Sequence, residues 1–402
     1  MKPSAFFHDL NSAALLAGIT TFIWFASGMV PLQIAVSGQL GLSAAQTSSG
    51  VFIVWLTSAS CSLSLSLYYR QPIPITWTIP GLVYLGTLAN QFSFSELVGA
   101  NLFAGLLIVI LGLLGLGGRI MQWIPLPIVM GMFAGSILEY VTRMVKATVN
   151  DFWVAAPTVA GYFLGRVIGN PRLPPMGIAI VCGGLASLLA RQTMSEPLLW
   201  TLPTFVIPQM SFSPSAFLAV SLPMVVLSVV LGNVQGLGFL QAQGYHVPVK
   251  PVTVLVGISS VLNAILGGCP AIVGRTAVAI LAASDAGPMS GRYLGCFIAG
   301  VLTFTLAVAA GLVTSLLKIL PQGYVLALAG LALLSSFQEA FERAFGGKLR
   351  FGALVAFAVS ATPFAIGGIT SAFWAILAGF LASFLAERRD LLSHWPEKEE
   401  QS

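Results

Sequence analysis

Charged residues are scarce in this chain of 402 residues, where aspartate, glutamate, lysine and arginine together make up only 8%. Soluble domains carry roughly 25% charged residues. The scarcity therefore excludes an ordinary soluble protein. Hydrophobic residues instead make up 57% of the chain, and the mean hydropathy is +0.92. This composition predicts an all-α polytopic membrane protein that lies in the lipid bilayer.

Cysteine and histidine are also rare, which excludes several kinds of site. The four cysteines fall inside apolar runs, as small core residues do, and are not spaced like disulfide or metal ligands. The three histidines, His8, His246 and His394, show no metal spacing. Zincin, nucleophile-elbow and Walker motifs are missing, so the sequence predicts no enzyme, no metal and no cofactor. The net charge of +5 reflects membrane topology and does not indicate nucleic acid.

Apolar stretches long enough to span a bilayer, about 20 residues each, recur along the chain. Fourteen spans are predicted, at 11–36, 43–68, 71–86, 94–117, 126–146, 149–168, 174–190, 215–243, 249–266, 267–284, 289–319, 322–344, 349–367 and 370–387. The first is expected to break at Pro31. With a cytoplasmic N-terminus, most lysines and arginines fall in cytoplasmic loops, as the positive-inside rule demands. Both termini are therefore predicted to be cytoplasmic, and no cleaved signal is expected.

An internal repeat supports this count. Residues 124–138 (IPLPIVMGMFAGSIL) align without gaps on residues 320–334 (LPQGYVLALAGLALL), so span five matches span twelve. Spans three and ten, both interrupted, are also seven apart. Because seven is odd, the second half is predicted to be inverted relative to the first. The predicted parts are a first repeat (1–190), a junction (191–214), a second repeat (215–387) and a cytoplasmic tail (388–402).

The two interrupted spans carry the strongest functional signal. Two stretches, 267–284 (GGCPAIVGRTAVAILAAS) and 71–86 (QPIPITWTIPGLVYLG), have proline within their first four residues. Each continues through β-forming residues and ends in helix-forming residues. We expect a short extended piece and then a half-helix in each. Such backbone at membrane depth occurs where it is buried in protein or lines a cavity, and a half-helix N-terminus attracts an anion. The layout predicts the substrate site of a secondary transporter.

Arg275 stands at the start of the second half-helix, and it is a candidate substrate-binding residue together with its neighbours Gly274 and Thr276. One interpretation is an anion clamp that pairs with a substrate carboxylate through charge-assisted hydrogen bonds. The other is a structural arginine that pairs with a nearby acid or snorkels. A charge at the bilayer centre costs about 2.5–3.5 kcal/mol, which favours a function.

Other polar and aromatic residues have two interpretations each. Thr76, Thr78 and Gly81 either donate to the same substrate or satisfy the backbone at the break. Asn233 and Gln235 either contact the substrate or form hydrogen bonds between helices. Four aromatic residues stack on an aromatic substrate or simply pack, namely Phe22, Trp24, Phe25 and Trp77. Interfacial ion pairs with little part in transport are predicted for Glu139, Arg143, Glu339, Glu342 and Arg343.

Five stretches are fairly specific to one family: TWTIPG (76–81), LPTFVIPQMSFSPSAFLAVSLP (202–223), GNVQGLGFLQAQGY (232–245), LAGLALLSSF (328–337) and GGITSAFWAILAG (367–379). In these, and along nearly its whole length, the chain resembles the BenE-type benzoate:proton symporters, a branch of the group that contains nucleobase and SulP-type transporters. The resemblance implies a core domain (spans one to four and eight to eleven) and a gate domain (the others). It also implies a substrate between spans three and ten, facing span eight.

The resemblance further implies proton-coupled import of benzoate or a similar aromatic carboxylate across the inner membrane, with an elevator-like motion and often a homodimer. Asn233 falls where nucleobase symporters have a substrate-binding glutamate, and Arg275 falls where some SulP-type proteins have a basic residue. The missing glutamate fits an anionic substrate but leaves the proton carrier unassigned. The alternative is a SulP-like transporter of inorganic or dicarboxylate anions.

Overall fold

Helices dominate the computed structural model, which describes residues 11–117, 125–170, 174–191, 200–367 and 369–393. The first half contains α1 (Ser12–Gln39), α2 (Ala44–Tyr69), β1 (Ile75–Trp77), α3 (Ile79–Thr87), α4 (Phe94–Leu113), α5 (Leu126–Asn150), α6 (Phe152–Ile168) and α7 (Pro175–Leu189). The second half contains α8 (Pro214–Ala242), α9 (Val249–Ile265), β2 (Ala271–Val273), α10 (Arg275–Leu281), α11 (Arg292–Val308), α12 (Ala310–Ile319), α13 (Gln322–Phe345), α14 (Arg350–Ala361), β3 (Ala365–Ile366), β4 (Ile369–Thr370), α15 (Ser371–Ala386) and α16 (Arg388–Leu392).

Several of these helices have the length and composition of membrane spans. Within the described residues, six helices are long and apolar enough to cross a bilayer, namely α1, α2, α4, α5, α8 and α13. The bent pair α11 and α12 adds a seventh if it is one span. The helices α6, α7, α9, α14 and α15 are apolar but shorter. The prediction of a helical membrane protein is confirmed.

Two short strands lie at the centre of the fold. β1 pairs antiparallel with β2, and Thr76 lies opposite Ile272. Each strand is followed directly by a short helix, α3 after β1 and α10 after β2. The extended piece and half-helix predicted for each interrupted span are therefore confirmed. Because the strands are antiparallel, α3 and α10 leave the pair in opposite directions.

The strand pair is stable inside an apolar environment because neighbouring groups satisfy its backbone. The N–H of Ile75 donates to Ser62 Oγ at 2.8 Å, and the N–H of Ala271 donates to Ser260 Oγ at 2.9 Å. The N–H of Val273 donates to Asn233 Oδ1 at 2.9 Å. Side chains of α2, α9 and α8 thus hold the strands in place.

Two glycines of α8 let β2 lie close to this helix. A Cβ added at Gly232 would lie 2.6 Å from Cβ of Ile272, and one added at Gly236 would lie 2.7 Å from Cγ1 of Val273. Real Cβ atoms do not approach so closely, so a larger residue would push the strand away.

We expect Gly232→Ala to destabilise the protein by about 1–3 kcal/mol, the usual cost of overpacking. The measurement is the melting temperature of the detergent-solubilised protein. Gly238→Ala is the matched control, because Gly238 lies on the same helix and a Cβ there meets nothing within 4 Å. Equal melting temperatures for the two variants would contradict the close packing of α8 on β2.

The break predicted at Pro31 is wrong, because α1 continues as one helix to Gln39. A π-helical turn, Phe25–Met29, lies just before this proline and accommodates its missing N–H. α8 repeats the arrangement, with a π turn at Phe217–Ser221 just before Pro223.

Two further spans differ from prediction. The single span predicted at 289–319 is bent by 57° between α11 and α12. This stretch contains no proline, so its local sequence gives no signal of the bend. The span predicted at 349–367 is helical only as far as Ala361, because Pro363 follows and the chain then forms the β3–β4 hairpin.

The helices pack in a regular set of pairs. The most extensive contacts join α5 with α13 and α14, α4 with α9, α6 with α7, α2 with α11, and α14 with α15. Where α4 crosses α9, a Cβ added at Gly105 would lie 2.8 Å from the backbone nitrogen of Val261. Small residues let these backbones approach closely, as is common between membrane helices.

Candidate functional site

A cavity of about 300 Å³ lies beside the β1–β2 pair. Its lining residues come from α1, the two strands, α3, α8 and α10, and from α5, α6, α7 and α13 with the residue just before α7. Most of the large lining side chains are apolar or aromatic: Trp24, Met29, Trp77, Ile79, Met130, Phe133, Tyr162, Met176, Leu227, Leu231, Ile272 and Leu331. The polar ones are Thr76, Arg166, Gln235, Arg275, Thr276, Ser335, Ser336 and Glu339. A mostly apolar lining with a few polar groups is typical of a small-molecule site.

Arg275 presents its guanidinium on this cavity wall. It is the first residue of α10, and the preceding residue, Gly274, is fixed by its N–H, which donates to the carbonyl of Pro74 at 2.9 Å. The Nη1 group of Arg275 donates to Gln235 Oε1 at 2.9 Å and forms an ion pair with Glu339. The side chain remains 33% exposed. Because α10 has only about two turns, the Arg275 charge outweighs the partial charge of its helix N-terminus.

Several N–H donors at this site have no partner. Trp77 Nε1, Asn233 Nδ2 and Gln235 Nε2 are buried and make no hydrogen bond to any described residue. A buried donor without a partner costs about 1–3 kcal/mol. Trp77 and Gln235 line the cavity through other atoms, since these nitrogens are closed to solvent.

The structure places seven of the twelve candidate residues on the cavity wall, namely Trp24, Thr76, Trp77, Gln235, Gly274, Arg275 and Thr276. Phe25 is buried on α1 and does not line the cavity. Nor do Phe22, Thr78, Gly81 and Asn233, although these four belong to elements around it.

Three of these four residues have structural roles that remove them from the cavity wall. Thr78 Oγ1 accepts from the N–H of Gly81 at 3.1 Å and caps α3, which is the capping interpretation of the sequence. Asn233 is buried, and its Oδ1 accepts a hydrogen bond from the N–H of Val273 in β2. Gly81 has no room for a side chain, since a Cβ there would lie 2.9 Å from Met224 Sδ. Phe22 is half-buried on α1.

The sequence analysis missed Glu339 as a cavity residue. It pairs with Arg343 through Oε1 at 2.8 Å, as an interfacial residue would, but it also reaches Arg275 of α10. Its neighbours along the cavity wall, Leu331 and Ser335, precede it by eight and four residues. Because Leu331, Ser335 and Glu339 are four residues apart, they lie on one face of the helix, and this spacing could have been read from the sequence.

A second cavity, of about 520 Å³, lies at the far end of α3. Its walls include Tyr84, Thr87, Ser136, Glu139 and Ser360. Among the described residues, none lines both this cavity and the first. The described ranges also contain no group of three or more His, Cys, Asp or Glu side chains that could hold a metal ion.

Comparison with known proteins identifies the family. The inner membrane protein YdcO of Escherichia coli (strain K12) is 28% identical over 375 residues, covering 91% of this chain and 93% of that protein. The benzoate membrane transport protein of Acinetobacter baylyi (strain ATCC 33305 / BD413 / ADP1) is 26% identical over 381 residues, or 94% and 96% of the two chains. The transmembrane domain of a cyanobacterium bicarbonate transporter, BicA, has a similar fold, with a TM-score of 0.58 and 17% identity over 91% of this chain and 96% of that one.

The strongest evidence is the match to a family model that covers nearly the whole chain. The model is described as benzoate membrane transport protein, and it matches residues 8–385. Both this family and the solved bicarbonate transporter are membrane transporters, so the prediction of a transporter and not an enzyme is confirmed. The chain belongs to the benzoate membrane transport protein family.

Proposed function

We propose that this transporter imports benzoate or a similar aromatic carboxylate together with protons, and that the 300 Å³ cavity is its substrate site. The observation that carries the proposal is the chemistry of the cavity wall. Trp24, Trp77 and Phe133 offer apolar surface to a ring, while the partly exposed guanidinium of Arg275 offers donors to a carboxylate. Aromatic rings and charge-assisted hydrogen bonds suit the two ends of such a molecule.

The lining argues against the alternative of an inorganic anion. Arg275 could pair with either kind of anion, but a small hydrated anion would lose its water against a wall that is largely apolar and would gain no contact with that wall. An aromatic carboxylate instead buries its ring there. The A. baylyi relative, named a benzoate membrane transport protein, supports the same choice.

The proposed architecture has fourteen spans in two inverted repeats. The long and short apolar helices, the bent pair taken as one span and the two strand–helix elements add up to this number. Features seven spans apart correspond. Ser62 accepts a hydrogen bond from the backbone of β1, and Ser260 accepts one from the backbone of β2. The π turn before Pro31 likewise matches the π turn before Pro223. The packing pair α2–α11 likewise corresponds to α9–α4. The repeats are 1–190 and 215–387, joined by 191–214 and followed by a tail, 388–402.

Alternating access by an elevator-like motion is part of the proposal. The proposed core comprises α1–α4 and α8–α12 with β1 and β2, and the proposed gate comprises α5–α7 and α13–α15. Elements of both parts line the cavity: α1, β1, α3, α8, β2 and α10 from the core, and α5, α6, α7 and α13 from the gate. Two cavities at opposite ends of α3 that share no described lining residue suit a carrier better than a continuous pore. The membrane is proposed to be the inner membrane, with both termini cytoplasmic, and the transporter a homodimer.

The test is uptake of labelled benzoate by proteoliposomes. With an acidic exterior we expect saturable accumulation that a protonophore abolishes, because protons and substrate enter together. Unlabelled benzoate should compete and sulfate should not. Benzoic acid also crosses lipid by itself, so protein-free liposomes under the same gradient are the control. Uptake no greater than in those liposomes, or uptake of sulfate in place of benzoate, would contradict the proposal.

A further inference from the structure

The cavity already contains a carboxylate from the chain itself. Glu339 of α13 forms an ion pair with Arg275 of α10, and its Oε1 also accepts from Nε of Arg343 at 2.8 Å. Of the described residues that line the cavity, Glu339 is the one acid. Its side chain is 22% exposed, so water screens this cluster only in part. The carboxylate of Glu339 is thus already paired with Arg275, the cation with which the carboxylate of the proposed substrate would pair.

We propose that Glu339 competes with the substrate carboxylate for Arg275 and is the group through which proton and substrate binding are coupled. This inference rests on the proposed function. Glu339 bridges Arg275 and Arg343. When substrate binds, its carboxylate pairs with Arg275, and Glu339 remains paired with Arg343 alone. A proton on Glu339 removes the negative charge that holds Arg275 and so opens the guanidinium to substrate.

Electrostatic repulsion supports this competition. A substrate carboxylate and ionised Glu339 at one guanidinium are two negative charges close together, and water screens them only in part. Protonation of Glu339 removes the repulsion between them. Because linkage is reciprocal, substrate that takes Arg275 promotes proton uptake by Glu339 to the same extent that the proton promotes substrate binding.

The other charged groups near α13 do not change this assignment. Arg166 and Tyr162 of α6 line the same cavity, and Glu342 is exposed and accepts from Gln338. On α5, Glu139 and Arg143 pair with each other, and Tyr140 donates to Gln39. On α14, Arg350 donates to the carbonyl of Gly347. Asp151 lies beside Gly323, at the opposite end of α13 from Glu339. The cations at Glu339 are therefore Arg275 and Arg343, with Arg166 on the same cavity.

The pair also joins the two parts that must move in the proposed mechanism. Arg275 belongs to the elements assigned to the core, and Glu339 and Arg343 belong to a gate helix. Exchange of Glu339 for substrate therefore releases an ionic contact between core and gate. The proton that enters with the substrate leaves when Glu339 returns to Arg275 after substrate release.

The test is binding of labelled benzoate to the purified full-length protein at an acidic and an alkaline pH, both chosen so that benzoate stays ionised. The unaltered protein should bind more tightly at the acidic pH. Glu339→Gln should bind about tenfold more tightly than the unaltered protein at the alkaline pH, with little dependence on pH. Glu342→Gln is the matched control, since it makes the same change three residues away and outside the cavity, and it should behave like the unaltered protein.

Arg343→Gln provides a second readout with the opposite sign. Without Arg343, a displaced Glu339 has no partner, so benzoate should bind several-fold more weakly at the alkaline pH. A purely structural ion-pair network would make both variants weaker. Weaker binding by Glu339→Gln, or a pH dependence equal to that of the unaltered protein, would overturn the inference alone. If Glu339→Gln does not fold, Arg343→Gln decides: a loss of binding confined to the alkaline pH supports the inference, whereas unchanged binding or an equal loss at both pH values overturns it. Failure of the unaltered protein to bind benzoate at either pH would overturn the proposed function and this inference with it.

Discussion

Replacing Arg275 by glutamine is expected to lower the affinity for benzoate about ten- to a hundred-fold. Hydrogen bonds to a charged group contribute about 1.5–3 kcal/mol, and each 1.4 kcal/mol is a factor of ten in affinity. The Arg275 guanidinium on the cavity wall contacts both Gln235 and Glu339. Glutamine at position 275 therefore removes the positive charge at the point where these polar groups meet. Labelled benzoate binding to the purified protein measures the change.

Two further variants make this prediction specific. Arg275→Lys should retain part of the affinity, because lysine keeps the charge but not the planar fork that binds a carboxylate through two N–H groups. Arg143→Gln is the matched control, since Arg143 is exposed, pairs with Glu139 at 2.5 Å and does not line the cavity. Equal losses for Arg275→Gln and Arg143→Gln would contradict a direct role for Arg275, as would an unchanged affinity in Arg275→Gln.

The centre of the fold could be predicted because its signals are local. An early proline, β-formers and a following helix former lie within both 71–86 and 267–284, and the structure has a strand and a short helix in each. The pairing of β1 with β2 could not be read in the same way. It joins residues about two hundred positions apart, such as Thr76 and Ile272, and depends on side chains of three other helices.

Local rules failed where tertiary packing or a π turn overrides them. Pro31 was expected to break the first span, but the π turn before it keeps α1 continuous. Thr78 and Asn233 were candidate ligands, yet both satisfy backbone groups of the strand–helix elements. Glu339 looked like an interfacial ion-pair partner because Arg343 is four residues away, whereas its contact with Arg275 joins two helices that are distant in sequence. Polar residues near a broken span thus indicate a candidate site, but their positions in the sequence do not tell which of them line its cavity.

A second large effect is expected at Gly28, where a side chain can fill the cavity without disturbing the fold. Gly28 lines the cavity from the π turn of α1, and a Cβ built there has only Trp24 Nε1 nearby, at 4.0 Å. The space in front of it is therefore open. Leucine at this position would occupy volume that the aromatic ring of the substrate needs.

Gly28→Leu should therefore weaken benzoate binding about ten- to a hundred-fold, since overfilling a packed site costs about 1–3 kcal/mol. Gly28→Ala should have a smaller effect, because one methyl group leaves most of the cavity free. Gly38→Leu is the matched control. It makes the same change on the same helix, at an exposed position where a Cβ meets nothing within 4 Å and no cavity wall is formed.

The comparison separates loss of space from loss of structure. Benzoate binding and the melting temperature in detergent are measured for all three variants. Because neither position has a clash, both leucine variants should melt near the unaltered protein, and only Gly28→Leu should lose binding. If Gly28→Leu binds as the unaltered protein does, the ring does not enter the cavity between the strand pair and α13. Arg275 would then have to meet its anion from another direction, and the arrangement of Trp24, Trp77 and Phe133 around a ring would have no role in recognition.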